Sequence, residues 1–575
     1  MRGAQVLVQM LLEYGVEVVF GVPGDTSLPF YEAIHDARQK ITHVMARDER
    51  SAGFMADAYA RISFKPGICE CPNGAGALYS IPGIAEANAS SIPVILFTSD
   101  ISLADEGRGT ITALDHHKLF EPVTKWSSFL KQVEKIPETV RRCFRVATTG
   151  RPGAVHLAFP NEVLTGEFGS DVRTIFAEPE CVDYPAYRTR GGREVLEEAV
   201  RHLLGATRPV IIAGGGANHS RAGEEIRALS EWLAAPVVTT ISGQGIMPDD
   251  HPLALGVVGD NGFHPYANEA VEEADLLLYV GCKRGSVSTI RWTLPTYKPD
   301  RRIIQIDLDP VQLSNNFANT LGIAGDANLV LKDLIALLTK EGAGRTPSPW
   351  VEELNGKRER FWEEAKEALE SEAVPIKPQR IINALNKRLP PSAVVIADAG
   401  TPTPYITRFL KLHGNSSRFL IPRAFGGLGY AIPAAVGVHL ASRSSKVVAL
   451  FGDGSLGMSM GELETLVRLE IPAVLIHFNN GCFGWIKALQ ALHCGGKFLS
   501  VDFTQGDMAR VAEALGLKAF HIESPEELER GLDEAFASPS PVFLDVVTEC
   551  EISELPPVYS WLKKAEDNRT AGRER

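Results

Sequence analysis

The sequence lacks a long apolar run, an excess of basic residues and a leader-like N-terminus. A membrane span needs about 18–20 consecutive apolar residues, and no run among the 575 residues approaches that length. Lys and Arg number 58 against 71 Asp and Glu, which gives a net charge of −13. This balance does not favour nucleic acid or an anionic membrane as a partner. Residues 1–21 contain no small-residue cleavage site of the signal-peptide type, so we expect a cytoplasmic protein.

Cysteine is scarce and scattered. Of the eight cysteines only Cys69 and Cys71 lie close together, and within GICECP they alternate like strand residues. No second pair follows at zinc-finger spacing, so we expect neither a zinc site nor a disulfide framework. The absence of a short-period repeat argues against a solenoid.

Short apolar runs alternate with helical patterns along the whole chain. This alternation is typical of parallel α/β architecture, and 575 residues are too many for one core. We predict three α/β domains with parallel sheets, at residues 1–165, 190–340 and 375–555. An aperiodic linker follows the first domain, and a charged helix near 350–372 leads into the third.

Two polar motifs follow consecutive apolar runs of the third domain. SKVVALF leads into a glycine turn with Asp453, and IPAVLIHF leads into a pair of asparagines that ends with Asn480. A helical pattern lies between them, so the two runs predict a βαβ unit whose parallel strands end at one edge of the sheet. We therefore expect Asp453 and Asn480 to face each other across a crevice. A carboxylate, an amide oxygen and a nearby main-chain carbonyl suit magnesium better than zinc.

The simpler interpretation is that both motifs are only tight turns. A GDG triplet alone would favour that interpretation, because short motifs often arise by chance. Two motifs at consecutive strand ends are far more specific. The glycines beside Asp453 also let backbone N–H groups approach a phosphate. We therefore predict a magnesium and phosphate site at this edge.

This segment resembles the thiamine diphosphate (ThDP) enzymes of the acetohydroxyacid synthase, pyruvate oxidase and pyruvate decarboxylase group. The resemblance covers nearly the whole chain and implies pyrimidine-binding, central and diphosphate-binding domains, in that order. It implies that Asp453, Asn480 and the main-chain oxygen of Cys482 hold Mg²⁺. It also implies a set of residues against the diphosphate, namely Ala399, Gly400, Thr401, Gly454 and Ser455.

The same resemblance assigns a catalytic carboxylate to the first domain. THVMARDERSAGFMADAYAR is similar to the family pattern, with Glu49 in the critical place. A carboxylic acid that bonds N1′ of the cofactor pyrimidine favours the imino tautomer, whose 4′ nitrogen can take the C2 proton. The alternative is a solvated carboxylate at a helix start, flanked by Arg47, Asp48 and Arg50. The metal motif elsewhere in the chain favours the catalytic interpretation.

Two glycine-rich segments complete the implied cofactor site. PNGAG, with Asn73 and Gly74, resembles the loop on the pyrimidine side; a Rossmann dinucleotide site is the alternative, but no G-x-G-x-x-G is present. RAFGGLGYAIPAAVG contains Gly426, and it places Leu428 where the family has a large apolar residue under the cofactor. The alternative for Leu428 is an ordinary core leucine. The family resemblance further implies a homodimer or homotetramer, in which Glu49 of one chain meets Asp453 of another.

The motifs leave two reactions open. Asp25 stands where 2-oxoacid decarboxylases place a catalytic aspartate, and His116 and His117 resemble their paired histidines. These three residues would serve as proton donors in a non-oxidative decarboxylase or lyase. The further glutamate of those decarboxylases would fall at Ile486, which cannot carry a proton. A surface loop is the alternative for the histidine pair.

The broader resemblance is to the large subunit of acetolactate synthase. We therefore predict a cytoplasmic transferase of branched-chain amino acid biosynthesis that decarboxylates pyruvate and passes the two-carbon unit to a second 2-oxo acid. A regulatory subunit is an open addition. The sequence departs from the family where Asn161 replaces an expected lysine and where GWIKALQALHCGG replaces a tryptophan-containing tail.

FAD is a further cofactor that the sequence leaves open. Several relatives bind FAD in the central domain, with an arginine soon after the strand equivalent to LLLYVG. GCKRGSVSTIRW offers Lys283, Arg284 and Arg291 without matching the usual pattern. The glycine-rich IIAGGGANHS could border an adenine nucleotide or be only a strand–helix turn.

Overall fold

The computed structural model describes residues 1–318, 320–413, 418–504, 506–550 and 552–573. It contains three six-stranded parallel sheets with flanking helices, which confirms the predicted α/β class. The chain divides into two compact units. The first unit comprises residues 1–187, 422–447 and 455–473, and the second comprises residues 188–421, 448–454 and 474–575. The domain limits themselves stay a prediction.

The first sheet belongs to the first unit and has the strand order β2-β1-β3-β4-β6-β5. Its strands are β1 Val18–Gly21, β2 Thr42–Met45, β3 Gly67–Cys71, β4 Val94–Asp100, β5 Trp126–Phe129 and β6 Val155–Pro160. Its α-helices are α1 Gly3–Glu13, α2 Leu28–Asp36, α3 Glu49–Ser63, α4 Ala75–Ala89, α5 His116–Phe120, α6 Ile136–Thr148 and α7 Asn161–Thr165. Strands β3, β4 and β6 are buried along their whole length, as expected when helices cover both faces of a parallel sheet.

The second sheet belongs to the second unit and has the order β12-β11-β10-β7-β8-β9. Its strands are β7 Pro209–Ala213, β8 Val237–Thr239, β9 Ala254–Val257, β10 Leu276–Val280, β11 Arg302–Asp307 and β12 Leu321–Ala324. The helices are α8 Arg193–Gly205, α9 Gly215–His219, α10 Gly223–Leu233, α11 Pro265–Glu273, α12 Ala327–Glu341 and α13 Pro349–Leu369. Helix α13 is the charged helix that the sequence predicted near 350–372.

The third sheet has the order β14-β13-β15-β16-β18-β17. Its strands are β13 Val394–Ala397, β14 Arg418–Leu420, β15 Val447–Gly452, β16 Val474–Asn479, β17 Lys518–Ile522 and β18 Val542–Val547. The remaining helices are α14 Pro378–Asn386, α15 Pro402–Phe409, α16 Ala431–Ala441, α17 Asp453–Ser459, α18 Glu462–Arg468, α19 Gly484–His493, α20 Met508–Ala514, α21 Pro525–Ala537 and α22 Tyr559–Arg573. Short 3₁₀ helices lie at Asp25–Ser27, Leu103–Asp105, Glu121–Val123, Val133–Lys135, Val172–Thr174, Pro179–Cys181, Ile241–Gly243 and Pro310–Gln312.

The first and third sheets have the same strand order, 2-1-3-4-6-5, when each is counted from its own first strand. The second sheet, counted in the same way, runs 3-2-1-4-5-6 from its other edge. In the second sheet the chain reverses its direction of winding once. In the first and third sheets it reverses after the second strand and again at the sixth strand, which lies between the fourth and the fifth. A reversal between the first and third strands opens a crevice at the carboxyl ends of those two strands, where open α/β sheets bind ligands. The reversal lies between β1 and β3 in the first sheet and between β13 and β15 in the third.

Helix α3 packs closely on α16 within the first unit. A Cβ atom at Gly437 would lie 2.1 Å from the carbonyl oxygen of Met55, so only glycine permits this approach. The Tyr430 hydroxyl, just before α16, donates a 2.7 Å hydrogen bond to Oδ2 of the buried Asp57. These two contacts fix the position of α3 along its neighbour.

Among the helices of the described residues, none combines the length and the apolar composition that a bilayer crossing requires.

Candidate active site

Glu49 is the first residue of α3, at the carboxyl edge of the first sheet. The preceding residue, Asp48, caps the helix by accepting a 2.8 Å bond from the Arg50 amide. Glu49 is half-buried, and this burial raises its pKa above the usual glutamate value. A Cβ atom at Gly76 would lie 3.0 Å from Oε1 of Glu49 and 2.8 Å from the Pro72 ring. The glycine therefore leaves room for the carboxylate.

The loop that precedes Glu49 is held by the segment around α18, in the same unit. The Arg47 amide donates a 2.8 Å bond to Oε1 of Glu462, which is buried. The Arg50 guanidinium donates to the carbonyl of Met458. These bonds hold the backbone on both sides of Glu49 in place at the start of α3.

Asp25 and Asn73 lie at the same edge of the first sheet. The side chain of Asn73 is 5% exposed and donates a 2.9 Å bond to the Thr112 hydroxyl. Gly74 has φ of +62°, and a Cβ atom there would lie 2.6 Å from Cβ of Thr112, so the loop requires glycine. The Thr26 hydroxyl, next to the exposed Asp25, lies 3.3 Å from Oδ1 of Asn73.

Gly426 and Leu428 lie in the turn before α16. Gly426 is exposed and has φ of +66°, which favours glycine. Leu428 is half-buried, which fits both an ordinary packing residue and a side chain under a cofactor. Its role as the cofactor support stays a prediction.

The structure brings Asp453, Asn480 and Cys482 together at the carboxyl ends of β15 and β16, which pair in parallel. Oδ2 of Asp453 accepts a 3.1 Å hydrogen bond from the backbone N–H of Asn480. Oδ1 of Asn480 accepts from the amide of Cys482 at 3.1 Å and from its thiol at 3.3 Å. Burial raises the pKa of Asp453, and the neighbouring His477 opposes this effect. The cluster supplies a carboxylate, an amide oxygen and the carbonyl of Cys482, an oxygen donor set that fits Mg²⁺.

Sequence reasoning missed the histidine behind this cluster. His477 is fully buried in β16, with Nε2 3.6 Å from Oδ1 of Asp453 and Nδ1 2.8 Å from Oδ1 of Asp545. Despite its burial, Asp545 has a pKa below the usual aspartate value, because His477, His521 and Asn479 donate hydrogen bonds to it. The available signal was a histidine inside an otherwise apolar strand, two residues before the asparagine pair.

The candidate diphosphate residues flank the chain reversal of the third sheet. Residues 399–401 follow β13, and Gly454 and Ser455 follow β15. Gly400 has φ of +129°, a conformation that L side chains rarely adopt, and Thr401 is 4% exposed at the start of α15. Both loops therefore lie at the carboxyl ends of the two strands between which a ligand is expected.

The histidine pair lies at the two ends of a hydrogen-bond chain that connects α5 with β4, β5 and β6 of the first sheet. His116 is 1% exposed, and its Nδ1 lies 2.9 Å from the Thr98 hydroxyl. His156, which sequence reasoning missed, lies 2.9 Å from both Thr98 and Ser127. His117 is exposed, with Nδ1 3.2 Å from the Ser127 hydroxyl. Burial lowers the pKa of His116 to about 4, so this residue is neutral at pH 7 and a structural role is favoured.

Glu70 is a second interior group that the sequence did not reveal. It lies in β3 with 2% exposure, and burial raises its pKa to about 8. Oε2 of Glu70 accepts a 2.6 Å bond from the Tyr31 hydroxyl, which also lies 3.0 Å from Nε2 of His43. A glutamate in the middle of a buried strand was the available signal.

The glycines of the candidate FAD segment serve packing. A Cβ atom at Gly214 would lie 2.3 Å from the Gly281 carbonyl oxygen, and one at Gly216 would lie 2.9 Å from Cα of Gly281. Close contact between the two loops therefore accounts for this glycine pattern. Arg284 is fully buried, with its guanidinium 5.5 Å from the centre of the Tyr279 ring.

Comparison with known families matches three consecutive parts of the chain. Residues 1–119 match "Thiamine pyrophosphate enzyme, N-terminal TPP binding domain". Residues 196–334 match the central domain of the same family, and residues 398–546 match its C-terminal TPP binding domain.

Curated relatives cover nearly the whole chain. A probable acetolactate synthase large subunit of Methanocaldococcus jannaschii is 36% identical over 564 residues, which are 96% of this chain and 92% of that protein. The acetolactate synthase large subunit of Haemophilus influenzae is 32% identical over 95% of this chain and 94% of its own length. The large subunit of acetolactate synthase isozyme 3 of Escherichia coli is 31% identical, with 96% and 95% covered.

Proposed function

The chain belongs to the thiamine pyrophosphate enzyme family, and on this premise we propose that it is a carboligase of the acetolactate-synthase type. In the proposed reaction pyruvate loses carbon dioxide, and the remaining two-carbon unit is transferred to a second 2-oxo acid. The observation that carries this proposal is the similarity to acetolactate synthases, at 30% identity or more over almost the full length of both chains. The corresponding role is a transferase of branched-chain amino acid biosynthesis, and we place it in the cytoplasm.

Thiamine diphosphate, when bound, supplies the electron sink that lets a 2-oxo acid lose carbon dioxide. We assign its pyrimidine side to Glu49, Asn73 and Gly74. The raised pKa of Glu49 supports this assignment, because burial favours the protonated form of the carboxyl group that would bond N1′. Gly426 and Leu428 are assigned to the support of the cofactor.

The diphosphate and its metal ion are assigned to the edge of the third sheet. We propose that residues 399–401, Gly454 and Ser455 contact the diphosphate. Asp453, Asn480 and the Cys482 carbonyl are proposed to hold Mg²⁺. The contacts among these three residues and their oxygen-only donors support the metal assignment.

The proposed assembly is a homodimer or homotetramer with active sites at subunit interfaces. The relatives are named large subunits, which supports a further regulatory subunit. A complementation experiment tests the shared site: Glu49→Gln and Asp453→Ala chains, each inactive alone, should regain activity when co-expressed. FAD is kept as an optional cofactor, and the visible absorption spectrum of the purified protein decides its presence.

The proposed reaction is tested by identifying products by NMR after incubation with ThDP, Mg²⁺ and pyruvate. We expect acetolactate, and a mixed acetohydroxy acid when 2-oxobutyrate is added. Acetaldehyde without acetolactate would contradict the carboligase proposal and favour a decarboxylase that uses Asp25 and His117. The Asp453→Ala variant serves as the control for background chemistry.

A further inference from the structure

A cavity of about 230 Å³ lies in the second unit, and its lining includes none of the residues of the Asp453 cluster. The loops that follow β8 and β9, the middle of α13 and the end of α15 enclose it. The residues that carry the argument are Gln244, Asp249, Trp362, Arg408 and Lys411. None of these residues has a role in the proposed carboligase reaction.

Arg408 is a cation without a counter-ion among the described residues. Its Nε donates a 2.8 Å bond to the Phe263 carbonyl, and its guanidinium lies 4.4 Å from the centre of the Phe263 ring. Its Nη2 is buried and has no hydrogen-bond partner in the described part of the chain. Burial lowers the pKa of Arg408 to about 10, which reflects the cost of a charge removed from water. A bound anion would satisfy both the charge and the vacant donor.

A second cation, Lys411, strengthens the preference for a small anion, and Gln244 adds a polar group of the opposite kind. Lys411 lies with Nζ 4.2 Å from the centre of the Trp362 ring, and burial lowers its pKa. Gln244 is 6% exposed; its Nε2 donates to the Thr407 carbonyl at 3.0 Å, whereas its Oε1 is buried without a partner in the described residues. The cavity therefore combines cationic donors and an aromatic wall with one free acceptor, Oε1 of Gln244, which can bond only a hydroxyl or another donor on the ligand.

Two aspartates also line the cavity, and each has a polar partner within the protein. Asp249 accepts a 2.8 Å bond from the Leu412 amide at Oδ2, and burial raises its pKa to about 7. Asp250 lies 3.7 Å from Nδ1 of His413. Arg358 and the two cations named above outnumber these carboxylates in the lining, so the net charge of the cavity is positive.

We propose that this cavity binds a small metabolite anion, with a carboxylate or phosphate head on Arg408 and Lys411 and an apolar body against Trp362. The volume equals that of roughly eight waters at about 30 Å³ each. It is therefore large enough for a compact metabolite.

Helix α15 connects this cavity to the candidate diphosphate loop. Arg408 lies in the last turn of α15, and residues 399–401 immediately precede its first turn. Eight helical residues span about 12 Å. An anion that fixes Arg408 is therefore expected to alter the ThDP affinity, and ThDP to alter the anion affinity by the same factor. This coupling rests on the proposed function, whereas the binding site does not.

Isothermal titration of the full chain, saturated with ThDP and Mg²⁺ at constant ionic strength, tests the binding site. The probes are inorganic phosphate and isobutyrate. We expect saturable binding of at least one, and a loss of at least ~10-fold in affinity in Arg408→Met, since hydrogen bonds to charged groups are worth about 1.5–3 kcal/mol. Tighter phosphate binding would indicate a phosphorylated metabolite, and tighter isobutyrate binding a carboxylate.

Two further variants separate binding from folding. Lys411→Met removes a half-buried cation and should weaken binding several-fold while the thermal midpoint stays near that of the wild type. Arg193→Met removes a charge from the exposed surface and should leave binding unchanged. The proposal is overturned if the wild type shows no saturable binding of either probe, or if both cavity variants bind as tightly as the wild type. An unchanged ThDP affinity in the presence of the better probe would overturn the coupling alone.

Discussion

The first and third sheets share one strand order but carry different chemistry at their carboxyl edges. The first places a carboxyl group with a raised pKa, Glu49, beside a tight glycine loop. The third places Asp453 and Asn480 in hydrogen-bonding contact. We call the edge with Glu49 the proton edge, because its carboxyl group is proposed to serve in proton transfer, and the edge with Asp453 and Asn480 the metal edge, because these residues are proposed to hold Mg²⁺. The shared topology provides the crevice, and the residues after each strand decide its chemistry.

The buried carboxyl groups behind the two edges also differ in their pKa values. Behind the first edge, Glu70 and Tyr31 form a neutral pair, because burial raises the pKa of Glu70 to about 8. Behind the third edge, Asp545 has a lowered pKa and accepts a bond from His477, which lies next to Asp453. The second sheet has a chain reversal too, but there Gly214 and Gly281 bring the loops into contact.

The largest effect is expected from breaking the metal edge. Asp453→Ala should lower the turnover of pyruvate by at least ~10³-fold, since a metal ion contributes several kcal/mol to transition-state stabilisation. Turnover at saturating ThDP and Mg²⁺ is the measurement. Asp533→Ala, which removes an exposed aspartate paired with Arg388, is the matched control. Full activity in the Asp453 variant would remove the metal assignment.

Breaking the proton edge should have the next largest effect. Glu49→Gln keeps the shape of the side chain but removes its acid–base function, so we expect a loss of at least ~10²-fold in turnover. Circular dichroism should show an unchanged fold, and Glu138→Gln, at an exposed site, should behave as the wild type. Undiminished turnover would exclude Glu49 from the mechanism.

The support of the metal edge can be tested separately from its ligands. His477→Gln should weaken the apparent Mg²⁺ affinity by ~10–100-fold, as is typical when a group that orients a ligand is lost. Turnover at saturating Mg²⁺ should change much less. His521→Gln is the control, because His521 binds the other oxygen of Asp545, at 2.8 Å, away from Asp453. Equal effects of the two variants would contradict a positioning role for His477.

The smallest effect is a pH dependence of protein stability that arises from Glu70, which is buried behind the proton edge. Folded Glu70 keeps its proton up to about pH 8, whereas an unfolded glutamate loses it near pH 4.3, so the folded state binds more protons between these values. The free energy of unfolding therefore decreases as the pH rises through this window. From pH 6.5 to 8 the decrease should be roughly 1.6 kcal/mol, because the slope of about 1.36 kcal/mol per pH unit falls by half as the pH reaches the folded pKa of Glu70.

His43, whose folded pKa burial lowers to about 4, takes up a proton in this window only in the unfolded state, near pH 6.5, so its contribution is the same in all the proteins compared. Glu70→Gln should therefore flatten the dependence of the urea unfolding midpoint on pH between 6.5 and 8. Glu138→Gln should retain the wild-type slope. An identical slope in all three proteins would mean that Glu70 is ionised in the folded state.

The proximity of Asp453 and Asn480 was predictable, because the two strands that precede them are adjacent in the third sheet. The βαβ rule places β15 beside β16, so Asp453 and Asn480 could be paired from the sequence before any coordinates. Their contact at 3.1 Å through the Asn480 amide agrees with that expectation. The charged helix α13 was equally accessible, because its length and composition are local properties of the chain.

The buried polar groups were not predictable for a physical reason. Strands covered on both faces read as continuous apolar runs, so single polar residues such as Glu70, His156 and His477 are hidden within them. Their partners lie far along the chain: Asp545 follows His477 by 68 residues. The strand order that unites them emerges only from the packed sheets.

Helix α3 contacts α16 closely where Gly437 meets Met55, and Glu49 is the first residue of α3. A rotation of α3 about this contact therefore moves Glu49. Glu49 lies six residues from Met55, about 9 Å along the helix axis at 1.5 Å per residue. A tilt of only about 6° around this contact would displace the carboxyl group by about 1 Å, a distance that can cost ~10²-fold in rate. A methyl group added at Gly437 would therefore lower the reaction rate by changing the tilt of α3, although it is remote from the reacting atoms.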